Sequence, residues 1–139
     1  MLFGREHVDR YVATDGEEGY TWREGTEILI LTTKGRKSGQ LRSTPLIFGR
    51  HRDDYLVVGS NGGARVAPAW YGNLLADHEV QVQVKGDRFR AHARTATAEE
   101  KPELWKTMTA AWPHYDEYQK RTAREIPVVI LTRDRRSGD

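Results

Sequence analysis

Six short runs of β-branched and apolar residues, separated by clusters of Gly, Asp, Asn and Lys, constrain this chain more than any other feature. Runs of that length bury one or both faces of a strand, and the clusters between them turn the backbone. From Thr26, TEILILTT is broken by KGRKSGQ and resumes as LRSTPLIF, the pattern of a hairpin. GRHRDD then turns the chain into YLVVGS, which ends in NGGARVA. EVQVQVK alternates strictly, as a strand with one wet face does, and Gly86-Asp87 turns it into RFRAHART. PVVILT is a last, fully apolar strand.

Helices are expected in two places. Pro68 suits a first helical position, and AWYGNLLAD sets Trp70 with Leu74 and Tyr71 with Leu75 at four-residue spacing. Thr97 and Glu100 form a capping box that opens a helix through Trp112, with Leu104, Trp105, Met108, Ala111 and Trp112 on one face. Pro113 interrupts it, and HYDEYQKRT continues as a short helix. The expected order is β-β-β-α-β-β-α-α-β. Short connections make the sheet mostly antiparallel, so the fold class is α+β, mainly β: a small or half-open barrel of about six strands with two or three helices. Residues 1–25 mix charges with glycine and are expected as a loosely ordered arm, 26–133 as the folded unit, and 134–139 as a polar tail.

Composition removes several function classes. A length of 139 residues fits one domain. With 22 Lys plus Arg against 20 Asp plus Glu, the net charge of +2 is too small for a dedicated nucleic-acid binder. The absence of Cys excludes disulfides, thiolate metal sites and a cysteine nucleophile, and fits a reducing cytoplasm. No eighteen apolar residues run together, and the first residues contain no signal-like segment, so a soluble, cytoplasmic protein without a membrane anchor is expected.

Four clusters could carry chemistry. Gly35, Arg36, Lys37, Ser38 and Gly39, with Arg42, put three cations, a hydroxyl and two glycines at a hairpin mouth. That set can cradle a phosphate, or it can simply solubilise a turn. Ser60, Asn61, Gly62 and Gly63 offer hydroxyl, amide and backbone donors, or only end a strand. Trp70 and Tyr71 cannot both face one core, so one of them can line a pocket, and Asn73 can cap locally or contact a ligand. Tyr115 and Tyr118 share a helix side and can both point into one cavity suited to flat apolar substrates, or hold their phenol oxygens in water. The five His are scattered without ligand spacing, so no metal site is expected, and no Ser sits in a nucleophile elbow. Anion-gripping loops and aromatic walls without reactive side chains suit a cofactor that brings its own reactivity.

Taken together, LTTKGRKSGQLRSTPLIF, the VVGSNGG loop, PAWYGNL, the VQV strand, TAEEKPELW and WPHYDEYQKRTAREIPVVIL resemble the deazaflavin-dependent nitroreductase family over about residues 22–133. The resemblance implies a split β-barrel related to the FMN-binding barrels, and coenzyme F-420, a deazaflavin with a phosphate and oligoglutamate tail. It implies hydride transfer to an electron-poor conjugated acceptor such as an enone, coumarin-type lactone, quinone or nitroaromatic. By position, Arg36, Lys37, Ser38 and Arg42 match the tail-binding loop, with backbone help from Gly35 and Gly39. Pro45 and Leu46 would lie beneath the ring, Ser60, Gly62 and Gly63 near it, and Trp70, Tyr71 and Asn73 along the cavity wall. Tyr115 and Tyr118 match tyrosines at the substrate side, and either of them or Ser60 could hydrogen-bond the charge that develops on the acceptor.

Two positions depart from the family pattern. Asn61 stands where Lys is frequent, which removes a cation, and Trp112 stands where the nitroimidazole-reducing branch has tyrosine, so that prodrug activity is not implied. A non-catalytic carrier of F-420 or a lipid-like ligand, and an FMN-dependent enzyme, are the alternatives. Assembly as a monomer or a homodimer is left open by the resemblance.

Overall fold

The computed structural model describes residues 2–134. The strands are β1 (Ile28–Lys34), β2 (Leu41–Ile47), β3 (Gly49–His51), β4 (Asp54–Val58), β5 (Glu79–Val84), β6 (Asp87–Thr95) and β7 (Val128–Arg133). The helices are α1 (Gly4–Thr14), α2 (Ala69–Ala76), α3 (Lys101–Ala111) and α4 (His114–Lys120). All seven strands form one antiparallel sheet in the order β2-β1-β5-β6-β7-β4-β3. The two outermost strands, β2 and β3, follow one another in sequence with only Phe48 between them. A sheet whose two ends belong to one continuous stretch must curl until they meet, so the barrel is closed at Phe48 by the chain itself. The Phe48 amide donates to the Glu27 carbonyl at 3.1 Å, and its buried ring contacts Tyr20 and Tyr55.

Strand faces explain the sequence pattern. Leu29, Leu31, Val57, Val80, Val82, Val129 and Leu131 fill the barrel interior. On the outer side, Leu56, Val58, Val128 and Ile130 are covered by α3 and α4, and Ile28 and Ile30 by Tyr11, Val8 and Val12 of α1. Strands β1, β4 and β7 are therefore buried on both faces and read as continuous apolar runs, whereas β5 keeps Glu79 and Gln81 in water and alternates. The Tyr11 hydroxyl donates to the Ile28 carbonyl at 2.8 Å and accepts from the Lys85 amide at 2.7 Å.

Two expectations change. The first twenty-five residues hold a docked helix, because His7, Val8, Tyr11 and Val12 form a stripe at helical spacing that charges and glycines mask in the sequence. GRHRDD is a third strand plus a two-residue turn with Arg52 at φ +56°, so there are seven strands rather than six. The expected polar tail lies outside the described residues after Asp134.

The capping box forms as spaced: the Glu100 amide donates to Thr97 Oγ1 at 3.2 Å, and the Thr97 amide to Glu100 Oε1 at 2.9 Å. Arg94 grips the same carboxylate through two hydrogen bonds of 2.7 and 2.8 Å. That guanidinium, with the Thr97 amide, lowers the Glu100 pKa from the ordinary 4.5 to about 2. A depressed carboxylate stabilises the fold fully above its unfolded value and loses that contribution as pH falls through the folded one. Glu100→Gln should therefore flatten the fall in melting temperature between about pH 4.5 and pH 2, read by acid titration of thermal unfolding.

Candidate active site

A cleft opens along the seam of the barrel. Register places Gly49 opposite Leu56, so Val58 at the end of β4 runs past the β3 ladder toward β2, and no hydrogen bonds join β2 to β4. In that gap lies a cavity of about 600 Å3. Its floor is Thr44, Pro45, Leu46 and Ile47 of β2; an edge strand tolerates Pro45, whose missing N–H breaks no ladder bond there. Ser60, Asn61, Gly62 and Trp70 form one wall, and Trp112, Tyr115 and Tyr118 another. Phe3, Gly4, His7 and Trp22 form the third. Sequence reasoning missed that last wall because it lies in the supposed arm.

The aromatic side is built by rings held against one another. Trp22 lies 5.8 Å from Phe3, edge to face, and 5.8 Å from Trp112. Its indole N–H donates to the Leu2 carbonyl at 3.0 Å. The Trp112 indole N–H donates to the Tyr118 hydroxyl at 3.4 Å, and Tyr115 and Tyr118 contact at 6.1 Å. Tyr115 is buried, which pushes its phenol well above the ordinary value, with Tyr118 adding to the shift. Tyr115 therefore stays a neutral donor at any physiological pH. No Asp, Glu, Lys or Arg lines this cleft.

A second recess of about 460 Å3 shares Thr44, Ala69 and Trp70 with the first, so the two adjoin. It is lined by Gly35, Arg36, Lys37, Ser38 and Arg42 of the β1–β2 turn, with Asn73 of α2. These cations are not equivalent. Arg36 Nη1 donates to Asn73 Oδ1 at 2.8 Å and to the Ala69 carbonyl at 3.1 Å, and its amide also reaches Asn73 Oδ1. Asn73 donates in turn to Thr33 Oγ1 at 3.1 Å. Arg36 thus fastens the turn to α2, lying across Gly72, where a Cβ would sit 2.8 Å from its Cζ. Lys37 and Arg42 make no side-chain hydrogen bond or ion pair among the described residues and remain available to an anion.

Three placements correct the sequence reading. The Gly35 and Gly39 amides are spent inside the turn, on the carbonyls of Gln40 and Gly35, so these glycines shape the cradle without donating to a ligand. Tyr71 does not line the cleft: its hydroxyl bonds Thr95 at 2.8 Å and its ring packs on the barrel core. Asn73 is a buried bracket facing the cationic recess rather than the wall of the larger cleft.

The loop carrying Ser60, Asn61 and Gly62 is clamped from behind by Arg124, which nothing in its sequence context marks. Its guanidinium donates to the carbonyls of Gly59, Ser60 and Ala64 at 3.2, 2.8 and 2.9 Å. Gln119 of α4 ties down the same segment, donating to the Arg124 carbonyl at 2.8 Å and accepting from the Ile126 amide at 2.9 Å. Gly63, at φ +83°, presses on α4 where a Cβ would meet the Tyr118 carbonyl at 2.7 Å. Gly63→Ala should cost about 2 kcal/mol, read by denaturant unfolding. Arg124→Ala should expose the amides of residues 59–64 to faster hydrogen exchange while those of the barrel core stay protected.

Among the described residues no group of three or more His, Asp or Glu could hold a metal, and no helix is long and apolar enough to cross a membrane. The family described as "F-420H(2)-dependent quinone reductase" matches residues 2–133. An F-420H(2)-dependent quinone reductase of Mycobacterium tuberculosis is 37% identical over 132 residues, covering 93% of this chain and 89% of that protein. A solved F-420H(2)-dependent reductase is 39% identical with a TM-score of 0.70, covering 75% of this chain and 92% of that one. A second solved relative, described as a domain-swapped dimer, is 37% identical with a TM-score of 0.73 and covers 91% and 95%. The overall fold is shared with these solved relatives, and the chain belongs to the F-420H(2)-dependent quinone reductase family.

Proposed function

We propose that this chain reduces quinone-type acceptors in the seam cleft at the expense of reduced coenzyme F-420. The observation that carries the reading is that the apolar cleft adjoins the cationic recess at Thr44, Ala69 and Trp70. A flat ring joined to an acidic, phosphorylated tail needs that pairing: an uncharged slot for one part and unpaired cations for the other. Lys37, Arg42 and the Ser38 hydroxyl would hold the tail, and Pro45 and Leu46 would bear the ring. When bound, the reduced coenzyme supplies the hydride.

The residues of the chain position and shield. Trp22, Trp112 and Tyr115 give the cleft an aromatic side on which a planar acceptor would stack, and their rings would keep water from it. Ser60, which makes no side-chain hydrogen bond among the described residues, and the neutral Tyr115 phenol can donate to oxygen atoms on which charge grows. Tyr118 supports this wall by accepting the Trp112 indole N–H. The related domain-swapped dimer supports a homodimer as one assembly of this chain, and we infer a cytoplasmic site of action, where a reduced coenzyme is regenerated.

The test is oxidation of reduced F-420 by menadione in the presence of the purified chain, followed by the returning absorbance of the oxidised coenzyme. Turnover is expected; tight binding without oxidation would instead indicate a carrier, and turnover with FMN alone an FMN enzyme. The division of labour among the cations gives a sharper outcome. Lys37→Ala and Arg42→Ala should each weaken F-420 binding about tenfold at unchanged melting temperature, the loss expected for one charge-assisted hydrogen bond. Arg36→Ala should lower the melting temperature as well, because it frees Asn73 and unfastens the turn.

A further inference from the structure

His7 has no role in the reading above, yet it stands on the cleft wall with Phe3 and Gly4. The residue is only 2% exposed, and its Nε2 lies 2.8 Å from the Gly19 carbonyl oxygen. A carbonyl can only accept, so Nε2 carries a hydrogen and that end of the ring is fixed as a donor. The approach requires glycine at the partner position: at φ +96°, a Cβ on Gly19 would lie 2.9 Å from His7 Cδ2 and 3.0 Å from Nε2. Nδ1 makes no hydrogen bond among the described residues, and no fully buried side-chain nitrogen or oxygen there lacks a partner. Nδ1 therefore keeps some accessible surface, on a side chain that lines the cleft.

We infer that His7 is a catalytic residue, presenting Nδ1 to an oxygen of the bound quinone and protonating that oxygen after reduction. The inference rests on the proposed quinone reduction. A quinone that accepts a hydride, two electrons and one proton, becomes a hydroquinone monoanion. One further proton makes the hydroquinone: the Nδ1–H bond of the imidazolium breaks as the new O–H bond forms. The ring is left neutral, with Nε2–H still on Gly19, and regains its proton at Nδ1 from water entering the vacated cleft. Among the side chains lining this cleft that carry an N–H or O–H, imidazole is the type most used as a general acid; the others are phenols, the Ser60 and Thr44 hydroxyls, indoles and the Asn61 amide. Burial makes the Tyr115 phenol a still weaker acid.

Two measurements test it. In the 15N-labelled protein without coenzyme, titration with menadione should shift the His7 Nδ1 resonance and leave Nε2 nearly unmoved; an unmoved Nδ1 overturns the inference. The second uses His7→Gln, whose side-chain amide places an N–H where Nε2–H stood but has no counterpart of Nδ1. It should melt and bind oxidised F-420 as the wild type does, while kcat with menadione falls roughly 100-fold, the usual weight of a general acid. Wild-type kcat in that variant overturns the inference. If the variant does not fold, the resonance titration decides alone. A wild-type protein that neither binds nor oxidises F-420 would defeat the functional reading instead, and the titration, which needs no coenzyme, would still report whether Nδ1 meets the quinone.

Discussion

One continuous stretch, residues 41–51, supplies both edges of the sheet, and the rest of the structure depends on that constraint. Because β2 and β3 are joined through Phe48 alone, the sheet cannot lie open; it curls until its ends meet there. Closure is local. Beyond Phe48 the two edges diverge, since β4 rather than β3 faces β2 without a ladder between them. The unpaired seam is what becomes the cleft, with an edge strand for a floor and the end of β4 for a rim.

What lines the seam follows from which outer faces need covering. β4 and β7 present apolar outer faces that α3 and α4 cover, and the α3–α4 corner thereby brings Trp112, Tyr115 and Tyr118 to the opening. The outer face of β1 is covered by α1, whose first turn brings Phe3 and His7 to the same opening. Site residues thus arrive as the ends of elements whose middles do ordinary core packing. The parts that face a ligand are held by contacts made away from it: Arg36 to Asn73, Arg124 to three carbonyls, Trp22 to Leu2. Such backing holds functional groups in place before a ligand arrives.

Charge is separated along the site in the same way. The basic turn lies at the far ends of β1 and β2, away from the aromatic seam, and meets it only where Thr44, Ala69 and Trp70 border both recesses. A lysine or arginine inside the apolar slot would have to be desolvated while permanently charged, whereas at the turn Lys37 and Arg42 stay hydrated until an anion replaces water.

Much of this was legible in the chain. The apolar runs marked six of seven strands, Thr97 and Glu100 marked the start of α3, and the basic turn, the Ser60 loop and the tyrosine pair all line the two adjoining recesses. α1 was legible in principle: Ile28 and Ile30 belong to a run with no wet face, which demands a cover. Strand β3, at three residues, was too short to show a period. Local sequence determined the strands, the turns, the caps and the chemical character of each loop, because those depend on side chains within a few residues of each other. Only the tertiary structure decided that Arg36 is a bracket while Lys37 is available, that Tyr71 turns to the core, and that His7 and Arg124 belong to the site. Each of those outcomes depends on a partner distant in the chain, and no local pattern encodes which partner folding will bring near.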